Sequence, residues 1–180
     1  MDYQEKTMKT EKIYEGKIVN LRIDTVELPD KKYSKREIVE HPGSVGIIPI
    51  TDDGHMILVK QFRKPIEKTI LEIPAGKIEI NEEPRETAKR ELIEETGYSS
   101  NNLEFVLEFY TSPGFSNEKM YLFLATDLSK GEACPEYGEY IEVEKIKIDT
   151  LMDRIGKGEI SDSKTIISIL FCQKYIDQDE

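Results

Sequence analysis

Short apolar runs separated by turn residues fill the first half of the chain, and they predict β-strands rather than helices. Turn signals such as Pro42-Gly43 and Asp53-Gly54 interrupt these β-branched stretches. Asp53-Gly54 joins two of the runs and predicts a hairpin. The predicted strands cover 15–28, 33–41, 44–51, 55–63 and 68–76.

The second half alternates helices with strands. Residues 83–96 are predicted to form a helix, because Pro84 is acceptable at a first helical position and Gly97 favours the end of one. The remaining predicted elements are strands at 103–110, 119–128 and 140–148 and helices at 149–155 and 163–176. The last helix has four apolar residues at core-like spacing: Ile166, Ile167, Leu170 and Phe171.

These elements together predict an α/β fold, a sandwich of helices around a mixed sheet, preceded by a small antiparallel β-sheet region. No internal repeat or Gly/Ser linker divides the chain. The Pro42-Gly43 break therefore gives the predicted boundary between an N-terminal β region, 1–42, and the main domain, 43–180.

The charge balance restricts the partners. A formal net charge of −11 would repel nucleic acid and anionic membrane surfaces, so a phosphate-containing ligand would need a local cation. Cys134 and Cys172 lack metal-ligand spacing and are too few for a disulfide framework, which predicts reduced thiols in the cytoplasm. The polar start lacks the apolar core of a signal peptide, and no run is long enough to span a bilayer.

Acidic residues crowd one side of the predicted helix at 83–96. At 100° per residue, Glu91, Glu94 and Glu95 share an arc of roughly 100° beside the apolar Ala88 and Leu92. Glu91 and Glu95 form a like-charge pair four residues apart, and Glu94 and Glu95 lie at the end of the helix where its dipole disfavours anions. The peptide alone does not favour this arrangement.

Two interpretations of the acidic arc are open from the residues alone. A solvated helical face is the commonest fate of a charged run. The alternative is a hard divalent cation, because Mg²⁺ and Mn²⁺ prefer oxygen ligands and leave coordination positions for water and phosphate. The second interpretation would suit cleavage of a diphosphate.

The same stretch resembles the Nudix box, G-x5-E-x7-R-E-U-x-E-E-x-G-U, where U is apolar. The matching residues are Gly76, Glu82, Arg90, Glu91, Leu92, Glu94, Glu95 and Gly97. Tyr98 departs from the aliphatic last position, which leaves the metal-binding part of the motif intact. The resemblance implies a Nudix fold and Mg²⁺- or Mn²⁺-dependent hydrolysis of a nucleoside diphosphate linked to another group.

The resemblance also implies a set of ligands for the metal. By position in the motif, Glu91 and Glu95 are expected to bind it directly, with Glu94 as a third carboxylate and Ala75 as a backbone carbonyl ligand. These oxygens are the type of donor that a hard divalent cation takes.

Three further residues are implied to support the chemistry. Arg90 and Glu82 are expected to form an ion pair that orients the loop onto the helix. Glu139 lies where the family supplies a loop carboxylate that acts as the base or binds an additional metal, and Glu136 is its rival. For either loop residue, an ordinary polar loop is the alternative interpretation.

Residues outside the box resemble the ADP-ribose pyrophosphatase subgroup. Pro113 follows Gly97 by sixteen residues, as in that subgroup, and the segments at 39–43, 59–65 and 72–79 are similar to it as well. An ordinary Ser-Pro-Gly turn is the alternative for Pro113. The implied reaction is hydrolysis of ADP-ribose to AMP and ribose 5-phosphate.

The subgroup also implies substrate contacts. Arg63 would meet a phosphate, and Glu118 would contact the terminal ribose, with solvated polar residues as the alternative for both. Arg36 would stack on the adenine and Glu37 would accept from its amino group, and a plain charged strand is the alternative there. His41 is predicted to line the pocket.

Other functions remain open at this point. Another nucleoside diphosphate derivative, such as a nucleotide sugar, a flavin dinucleotide or a dinucleoside polyphosphate, would need the same chemistry. A sensor that binds ADP-ribose without cleaving it is a further alternative, which the complete set of box carboxylates disfavours. The subgroup also implies a homodimer formed through the N-terminal strands.

Overall fold

The structure is a computed structural model that describes residues 3–135 and 137–176. These residues form ten strands and three α-helices. The strands are β1 (Lys6–Glu15), β2 (Asn20–Glu27), β3 (Tyr33–Glu40), β4 (Ser44–Pro49), β5 (His55–Arg63), β6 (Lys68–Glu72), β7 (Ala75–Lys77), β8 (Tyr98–Tyr110), β9 (Lys119–Lys130) and β10 (Ile141–Lys147). The helices are α1 (Pro84–Thr96), α2 (Leu151–Gly156) and α3 (Ser163–Ile176), with 3₁₀ turns at Lys64–Ile66 and Ile148–Thr150. The predicted α/β fold is confirmed.

The N-terminal strands differ from the prediction. The single strand predicted at 15–28 begins five residues later as β2, and β1 precedes it in a segment for which no strand was predicted. The turn between them is closed by the Gly16 N–H, which donates to the Val19 carbonyl at 3.1 Å. Every residue of β1 is exposed, so the strand has no buried face to produce the alternation by which strands are recognised.

The chain separates into two compact units. One comprises the residues up to Gly43 together with Phe109–Met120, and the other comprises Ser44–Glu108 and the chain from Tyr121 onward. In the first unit, β1, β2 and β3 form an antiparallel sheet in that order. Asp24 and Val26 of the central strand β2 are its buried residues.

The second unit contains two sheets, ordered β10-β5-β6 and β7-β4-β9-β8. Strand β4 is buried along its whole length, which explains why its sequence is continuously apolar rather than alternating. Leu92 of α1 belongs to a core cluster with Val45 and Ile47 of β4 and with Phe123 of β9. Ala88 and Leu92, which the sequence places beside the acidic arc, are both fully buried.

Helix α3 buries a different face from the predicted one. The buried residues are Thr165, Ser168, Ile169 and Cys172, whereas Leu170 is 51% exposed. Two polar side chains can be buried here because each finds a partner: the Thr165 hydroxyl bonds Asp162, and the Ser168 hydroxyl donates to the Lys164 carbonyl at 2.7 Å. The apolar pattern alone therefore gave the wrong face. Within the described ranges, no helix is long and apolar enough to cross a membrane.

Candidate active site

The three glutamates of the acidic arc on helix α1 differ widely in exposure. Glu95 is 4% exposed, whereas the side chains of Glu91 and Glu94 are 13% and 30% exposed. The helix begins at Pro84 and ends at Gly97, whose φ of 73° closes it with an N–H donated to the Ile93 carbonyl. The acidic arc therefore points into the protein on one side, which a solvated helical face would not do.

Arg90 is the positive centre of this helix. Its Nε and Nη2 bond the two carboxylate oxygens of Glu82 at 3.0 Å each, and its Nη1 lies 2.7 Å from Glu91 and 2.9 Å from Glu94. The side-chain bonds from Arg90 lower the pKa of Glu82 to about 2, and the Glu82 bonds raise the pKa of Arg90. Arg90 thereby ties the loop before the helix to the helix itself.

Glu95 has a different environment. Its carboxylate accepts the Ala75 N–H at 3.0 Å. Burial, together with the nearby negative charges of Glu91 and Glu139, raises its pKa to about 8 despite that hydrogen bond. Burial likewise raises the pKa of Glu91, against the opposing charge of Arg90. Glu91, Glu95 and Glu139 thus lie close enough for their charges to interact.

Gly76 allows Glu91 to approach the loop. A Cβ at position 76 would lie 1.8 Å from Oε1 and 1.9 Å from Cδ of Glu91. Any other residue would therefore displace the carboxylate, which explains in physical terms the glycine at the first position of the box.

The donor set fits a hard divalent cation in chemistry but is not arranged around one. Among the described residues, no three acidic, histidine or cysteine side chains converge as a preformed metal cage. Glu91 and Glu94 instead face Arg90, and Glu95 faces the Ala75 N–H. Burial is the largest cause of the raised pKa of Glu95; a bound cation would favour the ionised carboxylate, and the carboxylates would have to turn toward it.

The loop after β9 brings Glu139 to the same cluster. Gly131 donates its N–H to the Gly97 carbonyl at 2.7 Å, and Cys134 donates to the Glu94 carbonyl at 3.0 Å. A Cβ at Gly97 would lie 2.7 Å from the Ala133 backbone nitrogen, so the close contact also depends on a glycine. Glu139 then lies near enough for its charge to raise the pKa of both Glu91 and Glu95. Its rival Glu136 lies outside the described residues.

Arg63, at the end of β5, pairs with a buried glutamate. Its Nε and Nη2 bond Glu72 Oε1 and Oε2 at 2.7 and 3.1 Å. Glu72 is 1% exposed, and Lys164 of α3 also donates to it. Burial opposes the charge of Arg63, but the bonds and charge of Glu72 outweigh it and raise the Arg63 pKa.

Glu72 and Lys164 were not singled out from the sequence. One feature of the sequence marks Glu72: it is the single charged residue in the otherwise apolar run at 70–74. No such feature marks Lys164, because a lysine near the start of a helix is ordinarily solvated.

The other predicted substrate residues lie in the unit that contains β1 to β3. Arg36 pairs with Glu5, with its Nε 2.9 Å from Oε2, and the neighbouring Glu37 is exposed. In the 111–118 loop, Pro113 is exposed within a turn closed by the Ser116 N–H to the Ser112 carbonyl at 2.9 Å.

The end of that loop contacts the end of β3. Glu118 accepts the Thr111 hydroxyl at 2.8 Å and lies 3.8 Å from His41 Nδ1. Asn117 accepts the His41 N–H at 2.8 Å. His41 and Glu118 are thus brought together, and a role for either in binding stays a prediction.

Comparison with known proteins defines the class. Residues 40–166 match the NUDIX domain. A solved structure described as an ADP compounds hydrolase shares the fold, with a TM-score of 0.87, 20% identity and coverage of 99% of this chain and 98% of that one. The chain belongs to the NUDIX family.

Within that family the chain is similar to proteins named for one reaction. It is 48% identical to the ADP-ribose pyrophosphatase of Bacillus subtilis (strain 168) over 94% of this chain and 93% of that protein. It is 33% identical to the ADP-ribose pyrophosphatase of Mycobacterium tuberculosis over 91% of this chain and 81% of that protein. It is also 47% identical to the methanol dehydrogenase activator of Bacillus methanolicus over 95% of this chain and 94% of that protein.

Proposed function

We propose that this protein hydrolyses the diphosphate bond of ADP-ribose, releasing AMP and ribose 5-phosphate. The observation that carries the chemistry is that Glu91, Glu95 and Glu139 lie close enough for their charges to interact, beside the Arg90–Glu82 ion pair. The similarity to the ADP-ribose pyrophosphatases of two bacteria supports the choice of substrate.

Mg²⁺ is the proposed cofactor, and Mn²⁺ would fit the same donors. Glu91, Glu95 and Glu94 would hold it, with the carbonyl of Ala75 as a backbone ligand. When bound, the ion neutralises phosphate charge and lowers the pKa of a coordinated water. The closeness of the buried Glu95 to Glu91 and Glu139 supports this assignment.

Four residues would have direct or supporting roles in that reaction. Glu139 would accept the proton from the attacking water, which its closeness to the acidic cluster supports. Arg63 would bind a phosphate through the edge of its guanidinium that Glu72 leaves available. Arg90 and Glu82 would keep the loop in place against the helix.

The residues that would recognise the ends of the substrate form a separate proposal. Arg36 and Glu37 would hold the adenine, and Glu118, in the loop that contains Pro113, would contact the terminal ribose. Arg36 would first have to leave Glu5, since the two form an ion pair. Its exposure makes that exchange inexpensive.

A hydrolysis panel in ¹⁸O-labelled water tests this proposal. We expect Mg²⁺-dependent release of AMP from ADP-ribose in preference to GDP-mannose, a flavin dinucleotide and a dinucleoside polyphosphate. The labelled product then identifies the phosphorus that is attacked. Preference for GDP-mannose would contradict the proposal and would match the relatives named GDP-mannose pyrophosphatase, which are 30–32% identical.

Stimulation of an alcohol dehydrogenase is a second candidate activity. The 47% identity to a methanol dehydrogenase activator over nearly the whole chain favours it. Methanol oxidation by a purified methanol dehydrogenase would be measured with and without this protein. Stimulation that Glu95→Gln abolishes would indicate that hydrolysis causes the activation, and no stimulation would remove the candidate.

The N-terminal region, 1–42, is proposed as a dimerisation lobe that joins two copies of this chain. In support, β1 is exposed throughout and carries Met8, Ile13 and Tyr14 at 50%, 52% and 59% exposure. Such apolar side chains favour contact with another protein surface. Sedimentation of the wild type and of Ile13→Lys tests this: a monomeric wild type would contradict the proposal. A cytoplasmic location stays a prediction.

A further inference from the structure

A buried ionic cluster links the start of α3 to Arg63. Glu72 is 1% exposed and lies between two cations: Arg63, which bonds it through two nitrogens, and Lys164, which lies 92 residues further along the chain. The Lys164 side chain is 12% exposed and also lies 3.0 Å from Asp162. These residues belong to the same compact unit.

The start of α3 is held against the strand that carries Glu72. Asp162 accepts both the N–H and the hydroxyl of Thr165, at 2.9 and 2.6 Å. The Thr165 hydroxyl oxygen in turn accepts the N–H of Ile73, the residue after Glu72, at 2.9 Å. Because Thr165 is fully buried, these bonds fix the helix start and the strand end relative to each other.

Lys164 is poorly suited to binding a ligand itself. Its ammonium group is largely buried and already paired with two carboxylates. Arg63 differs, because its side chain is 40% exposed and only Nε and Nη2 are engaged by Glu72. The charge of Glu95 also contributes to the raised pKa of Arg63, so the guanidinium lies within electrostatic reach of the acidic cluster.

We propose that Lys164 is a positioning residue for substrate binding: it fixes Glu72, and Glu72 holds the plane of the Arg63 guanidinium so that its exposed edge faces the diphosphate. A guanidinium binds phosphate well only in a defined orientation, since its donors form a rigid planar fork. The inference rests on the proposed function, and it adds the C-terminal helix to the residues that determine substrate affinity.

The test compares Lys164→Met with Lys164→Arg in the full-length protein. Lys164→Met leaves Glu72 with one cation, so we expect the KM for ADP-ribose to rise by about tenfold while kcat changes much less, as for loss of a group that orients a ligand-binding residue. Lys164→Arg keeps the charge and should recover most of the affinity. Lys164→Gln replaces Lys164→Met if the latter does not fold.

Two controls separate positioning from general stability. Thr165→Val removes the hydroxyl bonds to Ile73 and Asp162 but keeps the backbone N–H bond to Asp162 and every charge, so it should lower Tm with little effect on KM. Arg63→Met should make the KM insensitive to a second change at Lys164, because Lys164 is proposed to affect the substrate through Arg63. A Lys164→Met variant with a lowered Tm and a wild-type KM would overturn the proposal.

A measurement without turnover keeps this result distinct from failure of the proposed function. The Arg63 Nε–H signal of ¹⁵N-labelled protein, assigned with Arg63→Lys, should shift and exchange faster with water in Lys164→Met than in Thr165→Val. An unchanged signal would overturn the positioning role. Absence of ADP-ribose hydrolysis by the wild type would instead reject the proposed function.

Discussion

Glu72 and Glu95 are both nearly inaccessible to water, at 1% and 4% exposure, yet their environments are opposite. Glu72 lies between the cations Arg63 and Lys164, and its charge is locally balanced. Glu95 accepts a backbone N–H, and burial together with the charges of Glu91 and Glu139 opposes its ionisation more than that bond and the charge of Arg63 favour it.

This difference distinguishes two uses of a buried acid. A glutamate that is bonded by cationic side chains can stabilise and orient its neighbours, whereas a buried glutamate that accepts a backbone N–H favours a proton or a bound cation. Glu72, at the end of β6, is therefore paired with cations of the chain itself, whereas Glu95, near the end of α1, depends on a bound ligand. Four changes would test that contrast.

The largest effect is expected from Glu95→Gln. Loss of a carboxylate from the proposed metal site should lower kcat for ADP-ribose by roughly 10²- to 10³-fold. Without metal at neutral pH, the variant should melt at a higher temperature than the wild type, because glutamine keeps an acceptor for the Ala75 N–H and, unlike Glu95, does not have to take up a proton when the chain folds. Glu86→Gln, exposed on the same helix and paired with Lys89, is the control and should change neither property. Full activity in Glu95→Gln would rule out its role as a ligand.

Glu72→Gln should have the opposite effect on stability. Removing the anion takes away the carboxylate that both Arg63 and the buried Lys164 bond, which should cost about 3 kcal/mol in the free energy of unfolding. Urea unfolding measures this. Glu79→Gln serves as the control, since its ion pair with Lys77 is exposed and should contribute less than about 1 kcal/mol. Equal effects of Glu72→Gln and Glu95→Gln on metal-free stability would contradict the contrast.

The pH dependence of the metal-free protein is a third test. The folded protein keeps the Glu95 proton up to a pKa of about 8, whereas the unfolded chain releases it near 4.5. Between these values the folded state binds more protons, so stability should fall as pH rises, by about 1 kcal/mol per pH unit.

Thermal melts in EDTA from pH 5 to pH 8 would measure that slope. Mg²⁺ should raise Tm more at pH 8 than at pH 5, because the ion must displace the proton. The slope should flatten in Glu95→Gln. A slope that persists unchanged there would show that another group is responsible.

Gly76→Ala should have the smallest effect. The added Cβ would overlap the Glu91 carboxylate, which can swing aside because it is the end of a flexible side chain. We expect about a tenfold loss of activity and little change in Tm. Gly156→Ala, where a Cβ would meet nothing within 4 Å, should leave activity unchanged. A large loss of stability in Gly76→Ala would indicate that the loop backbone, rather than Glu91, is displaced.

The sequence was most informative where the local pattern and the tertiary environment agree. Helix α1 was predicted at 83–96 and observed at Pro84–Thr96, because Pro84 and Gly97 act on the backbone directly. Strand β1 was missed since it buries nothing, and the buried face of α3 was wrong since Thr165 and Ser168 satisfy their hydroxyl groups through bonds that apolar spacing does not reveal.

The residues and their spacing by themselves determined the α/β class, the arc of Glu91, Glu94 and Glu95 and the family resemblance, because each depends on positions close together in the chain. Only the tertiary structure decided which glutamates are bonded by cationic side chains. That property depends on which distant groups come together, such as Lys164 with Glu72 and Glu139 with Glu95, and on how much water burial removes from them.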